Sequence, residues 1–403
     1  MARLGTVERD TLPEDERRFH DAVKAIRGRP ISGPFIVTMN SSPDLAARFA
    51  HLGHYFHTRG QADESIVSIR VRAFISLIGS RALDCPYEWA AWMNWALEAG
   101  VPQDTVDAIR ESRQPPNLTA EEKLVTQLCT QMISGNHRVS DATFKAALDH
   151  FGVQGLVELV VTLAYFAMIA LPLNAFEIEM SAAQMAQRKP FAPLAVSGAA
   201  WTDSGAARPS VPPISGASVP QPRLPLVNSH NDLAPRDQHF LDRVIRTRGW
   251  ISPAFGLLLH TPDVAERIAA IGEFFLYETI LPPGPKAIAW LITARELDCN
   301  YAWSSGVAAA RAANLDARLI EAIESGKPFV GATTEETALS DFCHQLLRGN
   351  HHVSDATYDA VVRHFGVQKA VQISTAVGYV AMMSLIANPF EIPSVTGETN
   401  PAL

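Results

Sequence analysis

Two stretches of the chain, 135–153 (GNHRVSDATFKAALDHFGV) and 349–367 (GNHHVSDATYDAVVRHFGV), are near-copies of each other. Thirteen of their 19 positions are identical. The offset between them, 349 − 135 = 214 residues, recurs between Cys85 and Cys299 and between Tyr165 and Tyr379. A constant offset held over widely separated positions indicates an internal duplication of a whole domain.

The chain of 403 residues has room for two domains that each bury an apolar core. We predict copy 1 at 1–187, a linker at 188–235 and copy 2 at 236–403. The linker is rich in Pro, Ala, Ser and Gly and has no apolar periodicity, a composition typical of extended segments. It is either disordered or lies across the surface of the two domains.

Both copies have the residue pattern of an all-α fold. Apolar residues recur at helical spacing, as in Leu45, Phe49 and Leu52, and no alternating strand pattern of useful length occurs. Ser140 and Ser354 are expected to cap helices that end near Gly152 and Gly366. We expect six or seven helices per copy, the last of them (155–170 and 369–385) apolar nearly all round and therefore buried.

Composition and charge narrow the class of partner. The net charge of −8 gives no basic surface, so neither nucleic acid nor an anionic membrane is an expected partner. The longest apolar stretch, 159–173, is too short to span a bilayer. Four cysteines are too few for a disulfide scaffold, and the N-terminus has no apolar leader. We expect a cytoplasmic protein that binds a small molecule.

The segments 81–102 (RALDCPYEWAAWMNWALEAGVP) and 294–316 (ARELDCNYAWSSGVAAARAANLD) carry a family resemblance. With the later VSDAT and FEI motifs, they are similar to carboxymuconolactone decarboxylase proteins and to AhpD-like alkylhydroperoxidases. The resemblance runs over 13–180 and 236–393. It implies two tandem AhpD-like helical domains, no cofactor, and self-association, here as a dimer or trimer of two-domain chains.

The family's functional residues are largely replaced in both copies. The resemblance implies, for the peroxidase branch, a C-x-x-C motif with a Glu twelve residues before it and a His four residues after it. The chain has at these places Ala73, Cys85, Glu88 and Trp92 in copy 1 and Ala287, Cys299, Ala302 and Gly306 in copy 2. Without a resolving thiol and a base, peroxide reduction of this type is disfavoured.

Glu88 is the best remaining acid for proton transfer. Copy 1 keeps the decarboxylase-like sequence Tyr87-Glu88-Trp89, but Trp92 stands where the resemblance implies a His. Nearby tryptophans could desolvate Glu88 and raise its pKa. The alternative is structural: Glu88 caps its helix or pairs with an Arg such as Arg81, and the tryptophans are core.

Three further groups of residues are candidates. His137 is a second candidate catalytic residue, and its counterpart His351 a binding residue; the alternative is that each bonds a backbone carbonyl. Cys85 could be a nucleophile, although a lone Cys entering an apolar helix is more often an inert small hydrophobe. The motif His51, His54, His57 has helical spacing suitable for a metal, but surface or cleft-lining histidines are the favoured interpretation, and we predict no metal.

These observations leave two hypotheses. In the first, copy 1 carries the site of a lyase or isomerase that acts on a carboxylated or lactone-like metabolite, and copy 2 is a degenerate partner. In the second, the protein is a non-catalytic binding or scaffold member of the family. The predicted catalytic residues are Glu88, His137 and Cys85, and the predicted substrate-binding residues are Tyr87, Trp89, Trp92, Tyr165, Asn174, Tyr301, His351 and Asn388.

Overall fold

A computed structural model describes residues 2–57, 66–180, 221–328 and 330–394, and within these ranges the protein is all-helical with no strand. Each copy contributes eight α-helices in the same order. Those of copy 1 are α1 Arg17–Arg27, α2 Pro34–Met39, α3 Pro43–His57, α4 Ile69–Ala82, α5 Pro86–Glu98, α6 Gln103–Arg110, α7 Ala120–Ile133 and α8 Asp141–Phe176. Those of copy 2 are α9 Gln238–Arg248, α10 Pro253–Leu258, α11 Pro262–Glu273, α12 Pro283–Glu296, α13 Asn300–Ala312, α14 Ala317–Ser325, α15 Thr334–Leu347 and α16 Asp355–Ala387.

The helix cap predicted at Ser140 and the helix break predicted at Gly152 are both present in the structure. The Ser140 hydroxyl accepts a hydrogen bond from the Thr143 N–H at 3.3 Å and so satisfies one of the open donors at the start of α8. At Gly152 the backbone leaves helical geometry (φ 67°, ψ −178°), a conformation that only glycine adopts readily, so α8 bends there. The number of helices per copy exceeds the expected six or seven, because short helices such as α2 have too few turns to show a periodic pattern.

The second parts of α8 and α16 form the centre of the molecule. Every residue of 155–176 and of 370–387 is buried, which confirms the expectation of central apolar helices. By length and composition both helices could cross a membrane, but the apolar window of each is wholly buried within the protein. The two helices touch closely, since a side-chain carbon added at Gly378 would collide with the carbonyl oxygen of Met168. Glycine is therefore required at this crossing.

Matching contacts between the copies show that they face each other about an approximate twofold axis. The Arg48 guanidinium donates to the Ala270 carbonyl at 2.7 Å, and its counterpart Arg267 donates to the His51 carbonyl at 2.6 Å. Each residue of one copy thus repeats, against the other copy, the contact that its counterpart makes. This is the geometry of an isologous interface, as in a symmetric dimer, here within one chain.

The N-terminal residues of copy 1 and the end of the predicted linker each contact the opposite half of the molecule. The Arg3 guanidinium lies 2.5 Å from the Asp355 carboxylate at the start of α16, and Arg223 makes the same ion pair with Asp141 at the start of α8. Each arginine therefore joins the opposite copy at a helix N-terminus.

The last part of the predicted linker, 221–235, lies across the surface of the protein. Leu224 and Val227 are buried there, and the Val227 N–H donates to the Gly256 carbonyl at 2.9 Å. Two short 3-10 turns, His230–Asp232 and Pro235–Asp237, lead into α9. The rest of the predicted linker, 188–220, lies outside the described residues.

Candidate functional site

Two adjoining cavities, of about 280 Å³ and about 210 Å³, lie in copy 1 beside α3 and α5. The α1–α2 loop forms one side of both cavities, and Glu88 and Trp92 on α5 line the smaller one. The two cavities share five lining residues: Arg27, Arg29, Phe35, His57 and Trp95. Together they form one cleft of a size suited to a small molecule.

Glu88 is the buried acid of this cleft. It lies in the first turn of α5, is only 3% exposed, and accepts a hydrogen bond from the Trp92 indole N–H at 3.0 Å. Burial raises the pKa of Glu88 to about 7; the Trp92 hydrogen bond and the positive charges of Arg27 and Arg29 offset only part of that shift. Near neutral pH the carboxyl group therefore exists in both protonation states, as a proton donor or acceptor requires.

His57, on α3, is the second titratable group of the cleft. Its Nδ1 lies 2.5 Å from the Gly53 carbonyl oxygen, which can only accept, so Nδ1 carries the proton and Nε2 is left as an acceptor. Burial lowers the pKa of His57 to about 3, so the ring is neutral near pH 7. The ring lies 4.9 Å from that of Trp92, measured between centroids. Trp92 thus touches both titratable groups.

Two arginines provide positive charge at the cleft. Arg27 ends α1, its Nη2 donates to the Ser32 hydroxyl at 2.8 Å, and its guanidinium lies 4.1 Å above the Phe35 ring. Burial, with a contribution from Arg29, lowers the pKa of Arg27 to about 10, so it remains charged at neutral pH. Arg29 is exposed. These residues were missing from the sequence candidates because an Arg at a helix C-terminus is explained by the helix dipole alone.

Tyr165 is a buried donor that packs behind Gly53, a residue that lines the larger cavity. Its ring stacks on Phe56 with centroids 4.5 Å apart, and its hydroxyl packs over Gly53, 2.8 Å from where a side chain would begin. The hydroxyl has no hydrogen-bond partner within the described part of the chain. Burial, and next the negative charge of Glu88, raises the pKa of Tyr165, so the hydroxyl keeps its proton. The predicted residue Tyr87 also lines the smaller cavity.

Other predicted residues lie apart from these cavities. The ring of His137 bonds the Met132 carbonyl at 3.0 Å, and His351 bonds Leu346 in the same way at 2.9 Å. Asn174 donates to the Leu83 carbonyl at 2.8 Å, and Asn388 makes the matching bond to the Leu297 carbonyl. Each of these side chains holds a turn in both copies, which accounts for its retention without a ligand.

Cys85, the N-cap of α5, and Trp89, within α5, are both buried. Burial raises the pKa of the Cys85 thiol, and the charge of Glu88 raises it further, so a thiolate is disfavoured. Of the three histidines on α3, His54 and His57 line the larger cavity, whereas His51 does not. Among the described residues, no three His, Cys, Asp or Glu side chains lie close enough together to hold a metal ion.

Copy 2 fills the equivalent space with its own side chains. Ala302 stands in place of Glu88, and Gly306 in place of Trp92. The Trp290 ring packs against Gly306, where an added side chain would lie 2.9 Å from it. Tyr301, the counterpart of Tyr87, donates its hydroxyl hydrogen to Ser252 at 3.1 Å. The titratable pair Glu88 and His57 therefore belongs to copy 1, since Leu276 replaces the histidine.

No family model matches the chain, and no curated protein is significantly similar to it. The contrast between the two copies is therefore the comparison that bears on function. The acid, the neutral imidazole and the open cleft all belong to copy 1.

Proposed function

We propose that copy 1 is the catalytic half of a carboxymuconolactone decarboxylase-like enzyme, a lyase or isomerase that acts on a small carboxylated or lactone-like substrate. One observation carries the proposal: a buried carboxyl group with a pKa of about 7 lines a cleft that two arginines also line. Copy 2, with Ala302 and Gly306 at the matching positions, supports the active half without a site of this kind. The fused chain would act in the cytoplasm and associate further, as a dimer or trimer.

Glu88 is the proton-transfer residue in this proposal. In a decarboxylation, the bond between the substrate carbon and its carboxylate breaks, CO₂ leaves, and the electron pair delocalises into the adjacent lactone carbonyl. Protonated Glu88 then delivers its proton to carbon and is reprotonated by water. In an isomerisation, the ionised form first removes a proton from carbon and then returns it at another position. Both reactions need an acid whose pKa lies near the working pH.

Arg27 and Arg29 bind the substrate carboxylate and stabilise the negative charge that develops on the carbonyl oxygen. The Nε of Arg27 is buried and has no hydrogen-bond partner within the described ranges, as is also true of the Tyr165 hydroxyl. Two buried donors without partners beside one cleft favour a ligand that accepts hydrogen bonds there. His57 Nε2 complements them as an acceptor for a substrate hydroxyl.

Two alternatives are weaker. A scaffold that has lost its chemistry does not need a buried acid, and replacing Glu88 with an apolar residue would stabilise it, because a buried carboxyl group is destabilising above its usual pKa. An AhpD-like peroxide reductase needs an accessible thiolate, whereas Cys85 is fully buried with a raised pKa. The enzyme hypothesis explains both the burial of Glu88 and its two arginine neighbours.

The direct test measures proton exchange at carbon. Lactones with and without carboxylate groups are incubated with the full chain in D₂O, and NMR follows deuterium incorporation and loss of CO₂. We expect exchange only with carboxylated lactones, and a loss of at least about 100-fold in Glu88→Gln, the scale that removal of a general acid–base produces. Glu98→Gln, which changes an exposed glutamate of the same helix, is the control and should keep full activity.

A binding measurement separates the two hypotheses. Carboxylates should raise the melting temperature of the wild type and of Glu88→Gln, but not of the double variant Arg27→Gln, Arg29→Gln. Binding to the wild type should be tighter below pH 7 than above it, because ionised Glu88 repels an anion. If no carboxylate binds, or if exchange persists in Glu88→Gln, the enzyme proposal is wrong and the scaffold takes its place.

A further inference from the structure

Copy 2 contains a cavity of about 370 Å³ between α12, α14 and α15, and its lining includes none of the counterparts of the residues that line the copy 1 cleft. One wall is aliphatic and consists of Ile288, Ile292, Leu319 and Ile323. Three of these four side chains are at least 95% buried, and Ile323 is partly buried. A cavity with this volume and a continuous aliphatic wall is suited to the hydrocarbon part of a small ligand.

A second part of the lining is polar and already ordered. The Glu296 carboxylate, 3% exposed, accepts two hydrogen bonds from Arg348, at 2.8 Å and 2.7 Å. The His344 ring lies 3.9 Å from Glu296 and 3.3 Å from the Ser340 hydroxyl. A bidentate pair held between helices fixes the positions of donors and acceptors before any ligand arrives.

Copy 1 lacks these ionisable side chains. At the positions of Glu296, His344 and Arg348 it has Ala82, Thr130 and Ser134. Of the three, Glu296 is the buried one, and a buried carboxylate is destabilising unless it is paired, as it is here with Arg348. The ionisable cluster at this cavity therefore belongs to copy 2 alone.

The charges of the lining residues restrict the ligand. Three cationic and three anionic side chains face the cavity: Arg295, Lys327 and Arg348, and Glu296, Glu336 and Asp341. A balanced lining attracts neither a simple anion nor a simple cation, but it can pair with both ends of a molecule that carries one charge of each sign. The aliphatic wall requires a branched or linear hydrocarbon group on the same molecule.

We infer that copy 2 binds a small aliphatic zwitterion of the α-amino-acid type between α12, α14 and α15. The hydrocarbon side chain lies on the isoleucines, and the charged end lies at Glu296, Arg348 and the residues at the entrance. This site is independent of the proton-transfer chemistry at Glu88, so it stands or falls separately from the proposed function. A fused chain with two different sites, one per copy, is an outcome that duplication permits.

The experiment is calorimetric titration of the full chain with L-leucine. 4-Methylpentanoate and isopentylamine, which each carry only one of the two charges on a similar hydrocarbon, are the comparison ligands. We expect leucine to bind at least about tenfold more tightly than either. The double variant Glu296→Ala, Arg348→Ser, which introduces the copy 1 residues, should weaken leucine binding by about tenfold or more.

A second pair of variants tests the inference at exposed positions, where a substitution should not unfold the protein. Lys327 is exposed at the entrance of the cavity, and its copy 1 counterpart, Arg113, is exposed too. Lys327→Ser should weaken leucine binding by several-fold, whereas Arg113→Ser should leave it unchanged. The inference is overturned if leucine does not bind, if either comparison ligand binds as tightly, or if the Glu296/Arg348 and Lys327 variants, folded by their melting curves, bind like wild type.

Discussion

Each copy has a tryptophan in the same region of its fold, but the two tryptophans lie on different helices. In copy 1, Trp92 is large and the facing position on α4 is Ser76; in copy 2, Gly306 is small and the facing position on α12 is Trp290. The volume is thus conserved while the ring changes helix. Interiors tolerate such paired exchanges much better than single changes of size.

The hydrogen bond of the indole shows what the exchange altered. Trp92 donates to the side chain of Glu88 at 3.0 Å, whereas Trp290 donates to the backbone carbonyl of Ala302, the residue that replaces Glu88, also at 3.0 Å. Both indole N–H groups are therefore satisfied, but only in copy 1 is the acceptor a titratable group.

The arginine at the end of the first helix differs in a similar way. Arg27 lines the open cleft and bonds to Ser32, but Arg248 lies directly on Gly272, beside the Tyr379 hydroxyl. Both guanidinium groups stack on a phenylalanine at 4.1 Å. Arg27 thus lines an open cleft, whereas Arg248 fills the equivalent space in copy 2.

The largest expected effect comes from moving the copy 2 arrangement into copy 1. Trp92→Gly alone should lower the free energy of unfolding by about 3 to 5 kcal/mol, because it removes a fully buried indole and leaves a cavity. Adding Ser76→Trp should restore a part of this loss, as the two positions face each other. Denaturant unfolding of the two single variants and the double variant measures the coupling.

The double-mutant cycle gives a clear criterion for this exchange. A favourable coupling of about 1 to 3 kcal/mol is expected for neighbours that share one space. Additive losses would mean that the ring of Trp290 and the ring of Trp92 do not occupy equivalent volumes. In that case the two copies would have diverged by independent repacking, and the comparison above would lose its physical basis.

The next effect concerns the pH dependence of stability. The folded-state pKa of Glu88 is about 7, above the ordinary value of 4.5. Between these values the unfolded chain ionises while the folded protein still holds the proton, so wild type loses stability as the pH rises from 4.5 to 7. Glu88→Gln removes this loss and should gain up to about 3 kcal/mol relative to wild type by pH 8.

Chemical denaturation of both proteins at several pH values between 4 and 8 tests this expectation. The difference between them should grow through that window and level off above pH 7. His57, whose lowered pKa acts in the opposite direction, is present in both proteins and cancels from the difference. A difference that is flat across the window would show that Glu88 has an ordinary pKa and would remove the basis of its proposed role.

A smaller effect tests the symmetry between the copies. Arg48 and Arg267 make matching hydrogen bonds to carbonyl oxygens of the other copy. Replacing either with Ala should lower stability by about 1 to 2 kcal/mol, the range for a partly exposed hydrogen bond from a charged group. Arg48→Ala should have the larger effect, because Arg48 also pairs with Glu278 across the interface at 2.8 Å. Equal stability of Arg267→Ala and wild type would contradict the twofold arrangement.

Sequence reasoning predicted the fold class well because helical periodicity and caps are local. The caps at Ser140 and Ser354 and the break at Gly152 follow from a few neighbouring residues. The packing of the two copies about a twofold axis could not be predicted from the sequence. The contacts that create it, such as Arg48 with Ala270, join residues more than 200 positions apart. No periodic pattern in the sequence predicts which carbonyl oxygen an arginine side chain will contact.

The candidate site was predicted only in part. Glu88 and Trp92 lie near each other in one helix, so their association could be inferred from spacing. His57 and Arg27 come from other helices, and only the fold brings them to the same cleft. His137 was selected because both copies keep it, but the bond from its ring to the Met132 carbonyl is a structural need of both copies. A residue that both copies keep can therefore serve either ligand binding or folding.

The smallest expected effect isolates the indole hydrogen bond from the rest of the comparison. Trp92→Phe keeps much of the aromatic surface but removes the N–H that lowers the pKa of Glu88, so that pKa should rise further. Infrared spectroscopy of the protonated carboxyl group across the pH range measures the shift. Trp290→Phe, which removes a bond to a backbone carbonyl, should change stability without moving the titration of Glu88. If both variants leave that titration unchanged, the 3.0 Å contact between Trp92 and Glu88 does not affect the pKa of Glu88. The two copies would then differ only in the presence of the carboxyl group.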